Sequence, residues 1–232
     1  MKKKTILMAI VIALVVLASP FAVLRIVASQ NTAPKTSSSG NPIRVAAVGD
    51  SIIGACEYLD DLQSLLGDNY KVGNFGVSGS TVLLNSWEPY MDQPEFQSAK
   101  AFEPNIVVIM LGTNDDLKSL HQYNESFEHD YIELITSFQQ LQSKPQIWIA
   151  LPPPIFSNST DLSPTYLVNT IIPKIHDLAN KMNLPTIDVY SAFGNHAGYF
   201  KDGVHPNSQG AAIIATEVYN AINSYYNSKQ TT

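Results

Sequence analysis

Near the end of the chain, in KDGVHPNSQG (residues 201–210), Asp202 stands three residues before His205, and Pro206 follows directly. The proline ring clashes with a helical conformation at the residue before it, so His205 is held out of helical space. A carboxylate and an imidazole so placed can serve as an acid and a base if a nucleophile comes from elsewhere in the chain. Ser51, in Gly49, Asp50, Ser51, Ile52, is the candidate. It follows an apolar run and opens the next helical stretch, which places its hydroxyl at a helix N-terminus and leaves its backbone N–H unpaired. Acyl transfer needs a nucleophile, a base, a group that orients the base, and donors aimed at the oxyanion. The candidate donors are the backbone N–H groups of Ser51 and Gly79 and the side-chain amide of Asn114.

Each of these residues also has a plain structural reading. Asp50 and Ser51 could simply cap a helix, and Gly79 could be a turn glycine. Asn114 could bond its own loop backbone, as Thr113 and Asp115 are expected to do. Asp202 could form an Asx turn with Gly203, leaving His205 as a solvent-facing loop residue. Of the other histidines, His121, His129 and His176 fall in or beside helical patterns and are expected at the surface. His196 could line a site but has no acid partner in sequence.

The elements that must position these residues are legible from periodicity. Residues 43–48, 72–75, 106–111, 146–151 and 184–189 read as five buried strands. Between them, Phe127, Tyr131, Leu134, Ile135, Phe138 and Leu141 recur at helical spacing, and Pro164 opens a stretch in which Leu167, Ile171, Ile175, Leu178 and Met182 share a face. A last helix is expected over about 208–225, and residues 85–100 read as a long irregular connection. Alternating strands and helices imply an α/β fold, a three-layer α/β/α sandwich around a five-stranded parallel sheet. Such sheets bind ligands beyond the carboxyl ends of their strands. Those ends are where Gly49 to Ile52, Asn74 to Gly79 and Gly112 to Asp115 stand, and the stretch with Asp202 and His205 follows the fifth strand. Four polar, glycine-marked turns are thus expected at one edge.

The chain has 232 residues, 45% hydrophobic and 15% charged, which suits one domain with a filled core. Lys2, Lys3 and Lys4 precede an apolar run over 5–27, so residues 1–28 are expected to be a signal peptide or an N-terminal membrane anchor. Residues 29–41 read as a polar, flexible linker, and the folded domain is expected over 42–228. An extracellular or cell-surface location follows, with the membrane reached only through the N-terminal segment. Without residues 1–28 the body keeps ten basic against 20 acidic side chains, which disfavours nucleic acid as a partner. Cys56 is the only cysteine, so no intramolecular disulfide can form. Residues 124–126 and 158–160 fit the N-glycosylation acceptor pattern.

The four turns together resemble the blocks of the SGNH, or GDSL, hydrolase superfamily, with Ile52 where that family more often has Leu. The resemblance runs from Gly49 to about Tyr219. It implies a flavodoxin-like fold and a serine esterase with Ser51, His205 and Asp202 as catalytic residues. It also implies an oxyanion hole made by the Ser51 and Gly79 N–H groups and Asn114, with neither cofactor nor metal. The stretch 87–90, the run Leu151, Pro152, Pro153, Pro154, and the spacing before Asp202 are similar to secreted branches that remove acetyl groups from sugars, such as sialate or rhamnogalacturonan acetylesterase-like proteins. A small-molecule or glycan ester is then the expected substrate, with Trp87 and Tyr90 as candidates to stack on a sugar face. Lysophospholipase or acyl thioesterase activity and a non-catalytic glycan-binding domain are the alternatives. A metallophosphoesterase is disfavoured: Gly112 to Asp115 lacks the histidine of such a turn, and no D-x-H pair follows the first strand.

Overall fold

The computed structural model describes residues 41–157 and 161–230. The expected leader or anchor over 1–28, all of the linker but Asn41, and the acceptor triplet at 158–160 lie outside the described residues. Five strands form one sheet: β1 (Ile43–Gly49), β2 (Tyr70–Gly76), β3 (Ile106–Met110), β4 (Gln146–Ala150) and β5 (Thr186–Ile187). Their order is β2-β1-β3-β4-β5, and every pairing is parallel. The helices, in chain order, are α1 (Ser51–Gly54), α2 (Tyr58–Leu66), α3 (Pro94–Ala101), α4 (Phe127–Gln139), α5 (Ile172–Met182), α6 (Val189–Phe193) and α7 (Ser208–Gln230). A short helix at Pro164–Tyr166 and a π-helical turn at Leu167–Ile171 lead into α5.

The two faces of the sheet read directly from strand alternation. Ala46, Val48, Val107, Ile109, Ile147 and Ile149 point to one side, into a core that contains Phe96 and Ala99 of α3, Leu134 and Phe138 of α4, and Ile175 and Leu178 of α5. Val45, Ala47, Val108, Met110 and Trp148 point to the other, against Ile52 and Ile53 of α1, Tyr58 and Leu62 of α2, and Ile214 and Val218 of α7. Both faces are covered, which is why β3 is buried along its whole length.

Two expected elements differ. The fifth strand is only Thr186–Ile187, because the Asp188 side chain accepts the Ser191 N–H at 2.9 Å and starts α6 where the apolar run suggested more strand. Residues 85–100 are not irregular throughout. A 3₁₀ turn spans Tyr90–Asp92, and Pro94, at the first turn of α3, opens a helix that buries Phe96 and Ala99.

The strand order places the site. The chain runs from β1 out to the edge strand β2, then crosses back to β3 on the far side of β1, so β1 and β3 flank the point where the winding reverses. The register pairs Gly49 with both Gly76 and Met110, so these three strands end level. Directly after β1, α1 turns tightly over the strand ends. A β-carbon at Gly49 would lie 2.4 Å from Ile53 Cγ1 and 2.4 Å from the Met110 carbonyl oxygen. Gly49→Ala should therefore destabilise the fold by about 1–3 kcal/mol or more, since backbone on one side cannot yield. Chemical denaturation of the purified domain would measure it, and an unchanged midpoint would contradict the close packing of α1 on β3.

Candidate active site

Asp50 decides what Ser51 is free to do. The Asp50 carboxylate, not the serine hydroxyl, caps α1: its Oδ1 accepts the Ile52 N–H at 2.9 Å, and its carbonyl accepts the N–H groups of Ile53 and Gly54. The Ser51 N–H takes none of these bonds, and the Ser51 hydroxyl lies 2.9 Å from His205 Nε2. The capping that competed with a nucleophilic role is thus carried by the neighbouring residue. Burial pushes the Asp50 carboxyl up to about 6, against the pull of the Ile52 N–H, the Thr113 hydroxyl and His205.

His205 and Asp202 sit on a short, internally tied loop. Phe200 and Pro206 form an antiparallel bridge, and the Lys201 N–H donates to the His205 carbonyl at 2.8 Å. Asp202 is an Asx-type residue and more: its Oδ1 accepts the N–H groups of Val204 (2.9 Å) and His205 (2.8 Å), while Oδ2 lies 2.7 Å from His205 Nδ1. Burial opposes ionisation, but the bonds from the His205 N–H, the His205 ring and the Val204 N–H hold this carboxyl down at about 2. A carboxylate facing Nδ1 fixes the neutral ring as the Nδ1–H tautomer, which leaves Nε2 as a lone-pair acceptor toward the serine hydroxyl. Just beyond, Asn207 Oδ1 accepts the Gln209 and Gly210 N–H groups and so caps α7, anchoring the loop on its far side.

Gly79 and Asn114 face Ser51 across a cleft of about 550 Å³. Gly79 has φ +84°, a conformation that side-chained residues rarely adopt, and the position its β-carbon would occupy is open space. Asn114 Nδ2 donates to the Ser80 carbonyl at 3.0 Å, while its second hydrogen meets only Asp50 Oδ2, at 3.5 Å. That second hydrogen is therefore weakly engaged and can serve a ligand in the cleft. All five residues expected at the centre, Ser51, Gly79, Asn114, Asp202 and His205, line this one cleft.

The sugar-stacking pair divides. Tyr90 is buried at 1% exposure, its hydroxyl donates to the Phe75 carbonyl at 2.7 Å and its ring packs edge-on to Phe96, so it supports its loop and does not contact a substrate. Trp87 is exposed and does not line the cleft. Two further expectations are corrected. Asp115 bonds another segment, accepting the N–H groups of Val82 and Leu83. His121 is partly buried, stacked on Tyr166 at 3.5 Å with Nε2 at 2.8 Å from the Asp116 carbonyl. His196 is exposed beside Tyr199 and does not line the cleft.

The remaining lining comes from Ala55, Cys56, Ser78 and Lys201. Nothing in their spacing marked them, since they lie in turns and a helix end without a pattern of their own. Cys56 is buried with its thiol toward the Pro206 carbonyl at 3.7 Å, and burial pushes that thiol up, away from nucleophilic thiolate character. Among the described residues, no group of three or more His, Cys, Asp or Glu is placed to hold a metal ion.

A parallel sheet with these four turns at its carboxyl edge defines a class, and comparison with known families agrees: the chain belongs to the GDSL-like lipase/acylhydrolase family, whose model matches residues 47–213. Among individual relatives, the chain is similar to an acetylxylan esterase of Xylanibacter ruminicola, 32% identical over 206 residues that cover 78% of this chain and 43% of that protein. It thus spans less than half of that relative's length. In fold it is similar to a carbohydrate acetylesterase from Sinorhizobium meliloti (TM-score 0.62, 16% identity, 78% of this chain and 99% of that one). It is likewise similar to the aryl esterase of M. smegmatis (TM-score 0.61, 17% identity, 78% and 98%).

The geometry predicts selective chemistry at one hydroxyl. A fluorophosphonate should label Ser51 alone, with labelling absent in Ser51→Ala and slowed at least tenfold in His205→Ala. Peptide mass spectrometry of the labelled protein checks this, and modification spread over several serines would contradict it.

Proposed function

We propose that the protein is a serine esterase that removes small acyl groups, acetyl foremost, from carbohydrate through an acyl-enzyme. The observation that carries this reading is the unbroken chain of contacts from Ser51 Oγ to His205 Nε2 (2.9 Å) and from His205 Nδ1 to Asp202 Oδ2 (2.7 Å), facing Gly79 and Asn114. His205 takes the serine proton as Ser51 Oγ attacks the ester carbonyl, and the ionised Asp202 stabilises the imidazolium that forms. The N–H groups of Ser51 and Gly79 and the Asn114 amide receive the developing oxyanion. The imidazolium then protonates the leaving sugar oxygen, and the same ring activates the water that releases the acid.

The small acyl group is argued from the lining. Ala55, Cys56, Ser78 and Gly79 leave room for a methyl but offer no extended apolar channel for a long chain, while Lys201, Asp202 and Asn114 make the mouth polar. A lysophospholipase or long-chain thioesterase would need the opposite. The carbohydrate part is supported by two relatives described as an acetylxylan esterase and a carbohydrate acetylesterase. Trp87, exposed on the segment that follows Gly79, is the residue offered to a sugar face. A non-catalytic glycan-binding role is less well supported, because every position needed for turnover is filled and connected. An exported location, secreted or anchored through 5–27, fits a polymeric glycan substrate.

Ser51→Ala should lower p-nitrophenyl acetate turnover by several orders of magnitude with an unchanged thermal midpoint; near-full activity would remove Ser51 as nucleophile. Asn114→Ala should cost about 10²- to 10³-fold in kcat. With Asp202 held at about 2, it stays ionised above about pH 4 and adds no limb to the pH profile there. A limb of the pH–turnover profile above about pH 4 that disappears in Asp202→Asn would contradict an ionised partner for His205. On substrate, acetylated xylo-oligosaccharides should be turned over faster than C8 or longer acyl esters, and the reverse order would favour the lipid reading.

A further inference from the structure

The two donors that flank Ser51 come from strands that do not touch. Gly79 follows β2 and Asn114 follows β3, with β1 between them, so no ladder of sheet hydrogen bonds sets their separation. Nothing lies within 4 Å of the Gly79 β-carbon position, and its flanks are tied to β1, where the Val77 N–H (2.9 Å) and the Ser80 hydroxyl (3.4 Å) donate to the Gly49 carbonyl. The segment that continues from it closes mainly on itself, with Thr81 N–H donating to the Glu88 carbonyl (3.0 Å) and Tyr90 N–H to the Thr81 carbonyl (2.9 Å). What ties this segment to the β3 side is a run of side-chain contacts. Asn114 Nδ2 reaches the Ser80 carbonyl, and the next residue, Asp115, accepts two successive backbone N–H groups, Leu83 at Oδ1 (2.9 Å) and Val82 at Oδ2 (3.0 Å). Asp130 of α4 continues the run, accepting the Leu84 N–H at Oδ2 (3.0 Å).

Asp115 is an expensive choice for a mere fastening. It is buried at 1% exposure, and among the described residues no Lys, Arg or His pairs with it. Burial pushes its carboxyl up to about 7 against the pull of the Leu83 and Val82 N–H groups. Two parallel N–H donors need two acceptor oxygens at fixed spacing, which only a carboxylate supplies; an amide would set its own N–H₂ against one of them. Because Asn114 and Asp115 are adjacent in one 3₁₀ turn, a shift of either relative to the segment 79–84 moves the other. We propose that Asp115 is the positioning residue of the oxyanion hole, setting the distance between the Gly79 N–H and the Asn114 amide by clamping the backbone at Val82 and Leu83, with Asp130 as its support at Leu84. It acts through those two donors and never touches substrate. A displacement of about 1 Å at such donors can cost about a hundredfold in rate.

This inference rests on the esterase reading, and the experiment separates the two. Kinetics of p-nitrophenyl acetate hydrolysis are measured for wild type, Ser51→Ala, Asp115→Asn, Asn114→Ala and the double variant, each checked for folding by circular dichroism and thermal melting. Asp115→Asn should lose about ten- to a hundredfold in kcat with KM within about threefold. The double variant should be no more than about threefold worse than Asn114→Ala alone, because both changes disable the same donor arrangement. A folded Asp115→Asn with kcat within threefold of wild type, or losses that multiply in the double variant, overturns the inference while leaving the esterase reading intact. Wild type without Ser51-dependent turnover overturns both. If Asp115→Asn does not fold, Asp130→Asn decides: a kcat loss of threefold or more at unchanged KM supports the clamp, and wild-type kcat overturns it.

Discussion

In a parallel sheet the strands all end at one edge, and here the pairing of Gly49 with both Gly76 and Met110 brings the exits of β1, β2 and β3 to a common level. Three of the five site groups follow from that register. The turn after β1 delivers Ser51, the turn after β2 delivers Gly79, and the turn after β3 delivers Asn114. A slip of one residue in any of these strands would exchange the side chains that fill the two cores and carry its turn out of reach of the others. Burial of both sheet faces therefore sets where Ser51, Gly79 and Asn114 stand relative to one another, while Asp202 and His205 are held by the bonds of their own loop.

The second layer of control is a set of buried carboxylates beneath the cleft. Asp50, Asp115 and Asp130 are all buried, and each accepts backbone N–H groups that no strand or helix partner takes: Ile52, then Val82 and Leu83, then Leu84. Short irregular segments cannot satisfy their own backbones, and anionic acceptors do so with shorter, stronger bonds than neutral ones. The cost of burying such groups is visible in the upward displacement of Asp50 and Asp115. The opposite environment holds at Asp202, where three hydrogen-bond contacts near the surface keep the charge in place.

Much of this was legible in the sequence because it rests on local signals. Interior strands announce themselves as apolar runs, and β1, β3 and β4 lie where those runs stand. Ser51, Asn114, Asp202 and His205 are marked by glycine-rich turns directly after strands or by a following proline. Signals failed where a single side chain overrides its neighbourhood. Asp188 converts the end of an apolar run into a helix start, so β5 is shorter than its composition suggests. Tyr90 sits among polar residues and reads as a surface aromatic, yet its hydroxyl finds the Phe75 carbonyl and the ring is drawn inside. Asp115 reads as a turn residue because its true partners lie over 30 positions away, a distance at which spacing carries no information.

The pair His205 and Asp202 is open to water, with side-chain exposures of 37% and 55%. On the esterase reading, that openness shapes what becomes of a captured acyl group. Solvent stands beside the imidazole, so the water needed for the second half of the cycle is at hand without a gated path. Among the described residues the imidazole and its acid thus stand uncovered, so on that reading an ester on a bulky carrier meets the serine without a segment first moving aside.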